Sequence, residues 1–163
     1  MKYVKMIVTA KDSGERLSEK EDLLLLSRVL GEVAELEIDP SITYQSIVGF
    51  GGAFTEAAAY TLSRVSDEKR AEVIRSYFDP MEGLGYSIGR VHIHSCDFAL
   101  GNYTYVEDND TELATFDISH DQQWVLPLIK DAMKVKGGEF TMLASPWSSP
   151  AWMKTNGEMN NGG

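Results

Sequence analysis

The sequence has a single cysteine, Cys96, among its 163 residues. One cysteine cannot form an internal disulfide, which excludes the small secreted scaffolds that depend on several such bonds. The sequence also lacks an apolar run long enough to span a membrane. The first ten residues are interrupted by Lys2 and Lys5 and do not resemble a signal peptide. We therefore expect a cytoplasmic location, and secretion of a longer parent protein stays open.

Basic residues are also scarce. The chain has 15 Lys and Arg against 25 Asp and Glu, which gives a formal net charge of -10. This acidic excess argues against nucleic acids and anionic membrane surfaces as partners. The hydrophobic content of 43% is ordinary for a globular protein, and the length is sufficient for a real core.

The chain divides into two parts of different pattern. Residues 1–40 contain short strand candidates at 6–8 and 33–38, and Asp39-Pro40 ends the second. We predict a small β element there. Residues 41–163 alternate between strands and helices. The predicted strands are 45–48, 86–94 and 140–143, and the predicted helices are 55–62, 67–78 with Ser66 as N-cap, and 119–135.

This alternation predicts parallel βαβ units. The ends of the strands read GFGGAF, HSCDF and ASPW, with polar or aromatic residues that the strand bodies lack. Catalytic groups lie at such ends in barrels, so the asymmetry is typical of a barrel or half-barrel. An eight-stranded barrel needs roughly 250 residues. The sequence therefore encodes either a small open α/β domain or the first part of a larger (β/α)8 barrel, and the ending at 160–163 is typical of a loop.

The segment at 144–157, ASPWSSPAWMKTNG, is the most informative in the chain. Trp147 and Trp152 lie within nine residues that also hold two prolines and three serines. Flat indole faces beside hydroxyl and amide groups suit a sugar ring, which has apolar C–H faces and polar edges. The segment therefore favours carbohydrate binding.

The second predicted strand carries Arg90, His92 and His94 at alternating positions, which places them on one face. If that face is the barrel interior, Arg90 needs carboxylate partners, and the nearest candidates are Asp97 and Glu56. A solvated edge strand is the alternative. The His-x-His spacing would also suit a metal ion, but it is a weak signal, and we expect no metal site and no cofactor.

Cys96, Asp97 and Phe98 end this strand. Asp97 is suited to accept hydrogen bonds from sugar hydroxyls, and Phe98 to form an apolar wall. An Asx-turn with a core phenylalanine explains the same residues equally well. Cys96 has no adjacent base, so we interpret it as structural rather than nucleophilic.

Three segments in the right order resemble glycoside hydrolase family 30, which contains glucosylceramidases and β-1,6-glucanases; they are 43–59 (TYQSIVGFGGAFTEAAA), 85–105 (GYSIGRVHIHSCDFALGNYTY) and 142–157 (MLASPWSSPAWMKTNG). The resemblance implies a (β/α)8 barrel, of which 41–163 would form about three strands. It also implies a β-sandwich side domain, to which 1–40 would contribute. A retaining mechanism with two glutamates follows from the same resemblance.

Under this resemblance both catalytic glutamates are expected after Gly163, so the chain alone would be inactive. Glu56 and Glu158 match neither of them. Asp97, Phe98 and Trp147 match substrate-binding positions. Arg90 matches a residue that supports the nucleophile, whereas His92 and His94 occupy variable positions.

The expected partner is a β-linked glycoside or glycolipid, together with the rest of the barrel. Two alternative functions stay open. One is a metal-dependent barrel hydrolase that uses His92 and His94. The other is a non-catalytic carbohydrate-binding module.

Overall fold

The computed structural model describes residues 2–27, 31 and 37–163. They fall into two compact units, one that extends to Gln45 and one that begins at Ser46. Among the described residues, no helix combines the length and the apolar character needed to cross a bilayer.

The described residues of the first unit form four short strands, β1 (Tyr3–Val4), β2 (Ile7–Val8), β3 (Ser18–Glu19) and β4 (Leu23–Leu24). Strand β1 pairs with β4 and β2 with β3, both antiparallel. The predicted strand at 6–8 is thus confirmed for two of its residues.

The predicted strand at 33–38 cannot be compared over residues 33–36, which lie outside the described residues. Glu37 and Ile38 have no regular secondary structure. The assignment of 1–40 to a β-sandwich stays a prediction.

The second unit is built on a parallel sheet of three strands, β5 (Gly51–Phe54), β6 (Ile88–Ile93) and β7 (Thr141–Pro146). Their order in the sheet is β5-β6-β7, so chain neighbours are also neighbours in space. Ala53 pairs with Arg90, and Arg90 with Leu143. The predicted parallel arrangement is confirmed, and β7 extends three residues further than the sequence suggested.

The predicted position of the first of these strands is wrong. Residues 45–48 have no strand, and the first strand of the sheet, β5, begins at Gly51 and Gly52 instead. Glycine is required at position 51 for steric reasons, because a Cβ there would lie 1.5 Å from the carbonyl oxygen of Ile88. The missing side chain allows β5 to approach β6 closely, so glycine here serves strand pairing rather than a bend.

Three helices connect the strands: α1 (Glu56–Ser63), α2 (Asp67–Phe78) and α3 (Val125–Lys136). The predicted N-cap of α2, Ser66, is confirmed, and Thr55, predicted as the first residue of α1, is its N-cap. Thr55 Oγ1 accepts from the Ala58 N–H at 3.2 Å, and Ser66 Oγ accepts from the Lys69 N–H at 3.3 Å. Helix α3 ends at Gly137 in the left-handed conformation, with φ of 69°.

Helix α3 begins six residues later than predicted. Residues 119–124 form turns, and the helix starts at Val125. Pro127 explains the difference, since it has no N–H to donate to the carbonyl of Gln123, as a helix from 119 would require. In the first turn of a helix that missing donor has no consequence.

The core lies between the helices and one face of the sheet. Its buried members are Phe54, Ala59, Ile74, Phe78, Val125, Leu128, Ile129 and Ala132. Helix α3 contributes the last four, which recur at helical spacing. Burial of each leucine or isoleucine stabilises the fold by about 1.5–3 kcal/mol. The opposite face, with Ala53, Arg90 and Leu143, is exposed.

Candidate functional site

A cleft of about 360 Å³ lies where the three parallel strands end. Its volume is within the range of small-ligand sites, roughly 300–1,000 Å³. It is lined by Ala53, Phe54, Thr55, Arg90, His92, Cys96, Asp97, Phe98 and Trp147. The structure thus brings together Arg90, Asp97, Phe98 and Trp147, the four residues selected from the sequence. Their functional roles stay predictions.

Asp97 and Phe98 form the tip of a tight turn after β6. The turn is closed by a hydrogen bond from the Ala99 N–H to the Cys96 carbonyl at 3.0 Å. The Asp97 side chain is exposed, and Phe98 is 59% exposed. An exposed phenylalanine does not fit the alternative in which it is a core residue, and both side chains are free for a ligand.

Trp147 lies directly after β7 and is 47% exposed. The guanidinium carbon of Arg90 lies 4.5 Å from the centre of the Trp147 ring. Arg90 Nε also donates to Ser145 Oγ at 3.2 Å. These contacts fix the arginine and one side of the indole, and they leave the rest of the indole accessible.

The predicted carboxylate partners of Arg90 are wrong for this chain. In the part of the chain that the structure describes, no carboxylate oxygen lies within 4.0 Å of Arg90, and Asp97 and Glu56 form no ion pair with it. The prediction assumed a buried arginine, whereas Arg90 is exposed. Solvent and the indole replace the expected counter-ion.

His92 shares the cleft with Arg90, as the alternation predicted, and Val91 packs on the core. His94 departs from the pattern because its φ is 63°, which ends the strand. His92 Nδ1 donates to the His94 carbonyl at 2.6 Å, and His94 Nδ1 accepts from the Tyr105 N–H at 3.0 Å. Burial lowers the pKa of His94. One ring nitrogen of each histidine is therefore engaged by backbone.

A metal site needs several ligand atoms that converge on one position. Within residues 2–27, 31 and 37–163, no group of three His, Cys, Asp or Glu side chains is placed to hold a metal ion.

Cys96 is half-buried, and burial raises the pKa of its thiol. The thiol is therefore protonated at neutral pH, which makes it a poor nucleophile.

A buried polar cluster that the sequence did not predict lies behind the cleft. Tyr103 and Tyr105 both donate hydrogen bonds to the carboxylate of Asp121, which is 4% exposed. Tyr103 Oη also lies 3.3 Å from His92 Nδ1, and Tyr105 Oη lies 3.4 Å from the His92 carbonyl oxygen. Burial and the Asp121 hydrogen bonds raise the pKa of both tyrosines. The alternation of Tyr103 and Tyr105 was visible, but their common acceptor was not.

Glu56 also makes contacts that the sequence did not predict. It is 1% exposed, at the start of α1. Its Oε2 accepts from the Leu100 N–H at 2.7 Å, and its Oε1 accepts from His120 Nε2 at 2.6 Å. The partners are 44 and 64 residues away in sequence. The local sequence pattern around Glu56 cannot predict contacts with residues so far away along the chain.

The fold and cleft can be compared with known proteins. The sequence profile described as the glycosyl hydrolase family 30 TIM-barrel domain matches residues 47–163. The chain belongs to glycosyl hydrolase family 30. The three parallel strands and their helices are accordingly the first part of a TIM barrel, as the resemblance implied.

Relatives within the family 30 group include the lysosomal acid glucosylceramidase of Mus musculus, which is 39% identical over 130 residues, or 78% of this chain and 25% of the mouse enzyme. Two solved structures are similar. SrfJ from Salmonella typhimurium has a TM-score of 0.66 at 40% identity, with 71% of this chain and 26% of that chain covered. The endo-β1,6-glucanase BT3312 has a TM-score of 0.65 at 30% identity, with 71% and 25% covered.

The chain spans a quarter to three tenths of the length of the curated relatives that it matches. Family membership supports a β-glycosidase function, since the relatives named above are a glucosylceramidase and a glucanase. The family 30 match covers the whole cleft, from Ala53 to Trp147.

Proposed function

We propose that this chain forms the sugar-binding part of the active site of a retaining β-glycosidase. The cleft carries the proposal. It combines an exposed indole, Trp147, with an exposed carboxylate, Asp97, at the carboxyl ends of neighbouring parallel strands. That edge is where barrel enzymes bind substrates. The indole offers an apolar face to a sugar ring, and the carboxylate accepts hydrogen bonds from its hydroxyls.

A retaining mechanism requires two carboxyl groups about 5 Å apart, one as nucleophile and one as acid and base. Asp97 is the one carboxylate among the described residues that line the cleft. Glu56 is unsuited to either role, because both of its oxygens are bonded within the protein. We therefore propose that the nucleophile and the acid/base come from barrel strands that follow β7.

Arg90 extends from the exposed face of β6, which faces the interior in a closed barrel. Its guanidinium keeps free donors, since one nitrogen binds Ser145 and the plane lies over Trp147. We propose that these donors bind and orient the nucleophilic carboxylate in the complete site. A neighbouring cation of this kind favours the ionised form that attacks the sugar.

The proposed substrate is a β-linked glycoside or a glycolipid. This proposal is supported by the similar proteins, which include a glucosylceramidase, named for a glycolipid, and an endo-β1,6-glucanase, named for a β-linked glucan. The apolar lining by Phe54, Phe98 and Trp147 fits the C–H faces of a hexose.

The experiment follows hydrolysis of an aryl β-glucoside by proton NMR, with the longest natural polypeptide that contains this sequence. We expect the β-anomer of glucose to form first and the α-anomer only by later mutarotation. Immediate release of the α-anomer would refute retention. The 163-residue chain by itself is expected to show no turnover above a matched blank, and turnover by the pure chain would refute the placement of the catalytic pair.

A further inference from the structure

Glu56 joins three segments that are far apart in the chain. It is the first residue of α1, and its side chain bonds Leu100 in the loop after β6 and His120 in the turns before α3. Its position at a helix N-terminus favours a negative charge. The helix itself does not need this carboxylate, because Thr55 already caps it.

Burial of a carboxylate costs free energy unless hydrogen bonds compensate it. Glu56 is almost completely buried, and each of its oxygens has one donor within 2.7 Å. An apolar residue of similar size would fill the same space without that cost. The presence of a carboxylate at this position is therefore explained by its hydrogen bonds rather than by packing.

Glu56 binds the turn that carries the predicted sugar-binding residues Asp97 and Phe98. The Phe98 carbonyl accepts from the Ala57 N–H at 2.9 Å, and the Leu100 N–H donates to Glu56. Both bonds tie the turn with Asp97 at its tip to the first turn of α1. The loop is connected on its other side as well, since the Ser95 N–H donates to the Tyr103 carbonyl at 3.1 Å.

The second oxygen of Glu56 connects the turn to the polar cluster. His120 donates to Glu56, and its ring stacks on Tyr103 with 3.7 Å between ring centres and 20° between planes. Tyr103 is held in turn by Asp121. The position of the Glu56 carboxylate is thus fixed by His120, which lies outside the loop that contains Leu100. The carboxylate can therefore hold the Leu100 amide in place.

We propose that Glu56 is a positioning residue, which fixes Asp97 and Phe98 for the sugar through the Leu100 amide. It does not itself touch substrate. The inference rests on the proposed function for its consequence in catalysis, but the loop contact can be tested without activity.

Two substitutions separate the hydrogen bond from the volume of the side chain. Glu56→Gln keeps an acceptor for the Leu100 N–H, whereas Glu56→Leu fills similar space and offers none. Glu72→Leu, at an exposed position of α2, controls for the loss of a surface carboxylate. Each variant is made in the longest natural polypeptide that contains this sequence. The readouts are hydrogen exchange of the Leu100 amide, melting temperature, and kcat and KM on an aryl β-glucoside.

We expect Glu56→Leu to accelerate exchange at Leu100 roughly 10- to 100-fold, as loss of a charge-assisted hydrogen bond allows. We also expect KM to rise with a smaller change in kcat. Glu56→Gln keeps an acceptor without the charge, so its change should be clearly smaller than that of Glu56→Leu, and Glu72→Leu should stay close to the wild type. If Glu56→Leu does not fold, Leu100→Pro removes the same hydrogen bond from the donor side and should raise KM equally.

Equal exchange and KM in Glu56→Leu and the wild type would overturn the proposal. So would equal defects in the Leu and Gln variants, because the acceptor would then not matter. Failure of the proposed function is distinguishable. It would show as absent turnover in the wild type, while the exchange of Leu100 still decides the loop contact.

Discussion

Arg90 lies over the indole of Trp147, with 4.5 Å between the guanidinium carbon and the ring centre. Arg90 lies on β6 and Trp147 directly follows the neighbouring strand β7, and the contact orders an indole that is otherwise half exposed. A cation over an indole face contributes about 0.5–2 kcal/mol, depending on how far it is desolvated. The cleft therefore has an ordered aromatic wall before any ligand enters.

Replacement of Trp147 by alanine should affect function more than stability. Stacking on an aromatic ring contributes up to about 1.5 kcal/mol, so we expect a loss of about tenfold in kcat/KM on an aryl β-glucoside. The melting temperature should change little, because the side chain is 47% exposed. Steady-state kinetics and thermal denaturation of the variant measure both effects.

Trp124→Ala is the matched control. Trp124 packs against the core and meets Tyr60 edge to face at 5.4 Å. Its removal should cost about 3 kcal/mol of stability. If Trp147→Ala lowered the melting temperature as much as Trp124→Ala and left kcat/KM intact, Trp147 would be a packing residue.

Asp97→Asn removes the charge at the tip of the turn but keeps one acceptor oxygen. A hydrogen bond to a charged group contributes roughly 1.5–3 kcal/mol and a neutral one about 0.5–1.5 kcal/mol, so kcat/KM should fall by about tenfold. Stability should hardly change, since Asp97 is exposed. Asp108→Asn, at another exposed loop position, should leave both quantities unchanged. Wild-type kinetics in Asp97→Asn would remove Asp97 from the binding site.

Gly51→Ala tests the close approach of β5 and β6. The new Cβ would lie 1.5 Å from the Ile88 carbonyl oxygen, so the strands must separate. We expect a loss of about 1–3 kcal/mol in the free energy of unfolding, measured by urea denaturation. Gly138→Ala is the control, because no atom lies within 4 Å of a Cβ there. Equal stability of the two variants would contradict the observed pairing.

His94 should make the second unit less stable in mild acid. Burial lowers its pKa in the folded state below the ordinary value of 6.5. The unfolded chain therefore binds the proton first, and the free energy of unfolding decreases as pH falls below about 6.5. Protonation of Nδ1 would also break its bond with the Tyr105 amide. The stability of His94→Asn should depend less on pH between 5 and 7 than that of the wild type. An unchanged pH dependence would assign the effect to other groups.

The sequence predicted the parallel βαβ pattern and the N-cap at Ser66 because these depend on neighbouring residues. It placed β5 wrongly because the reason for Gly51 is a strand 37 residues further along the chain. It also overextended α3, although Pro127 was visible. Apart from the start of α3, the elements whose cause is local were predicted correctly.

The same division holds for the cleft. Arg90, Asp97, Phe98 and Trp147 were selected from the sequence, and the structure places them around one cleft. The predicted ion pairs of Arg90 were wrong. The alternation of side chains along a strand predicts which face a residue lies on, but it does not predict which residues contact it there. The contacts of Glu56 and Asp121 join distant segments, so only the fold reveals them.

The most direct test of the sugar-binding cleft is a crystal structure of the longest natural polypeptide that contains this sequence, with a glucose-configured iminosugar bound. We expect the ring of the inhibitor against the exposed part of the Trp147 indole. We also expect one of its hydroxyls within about 3 Å of an Asp97 carboxylate oxygen. A sugar ring bound elsewhere, with Asp97 directed into solvent, would contradict the account.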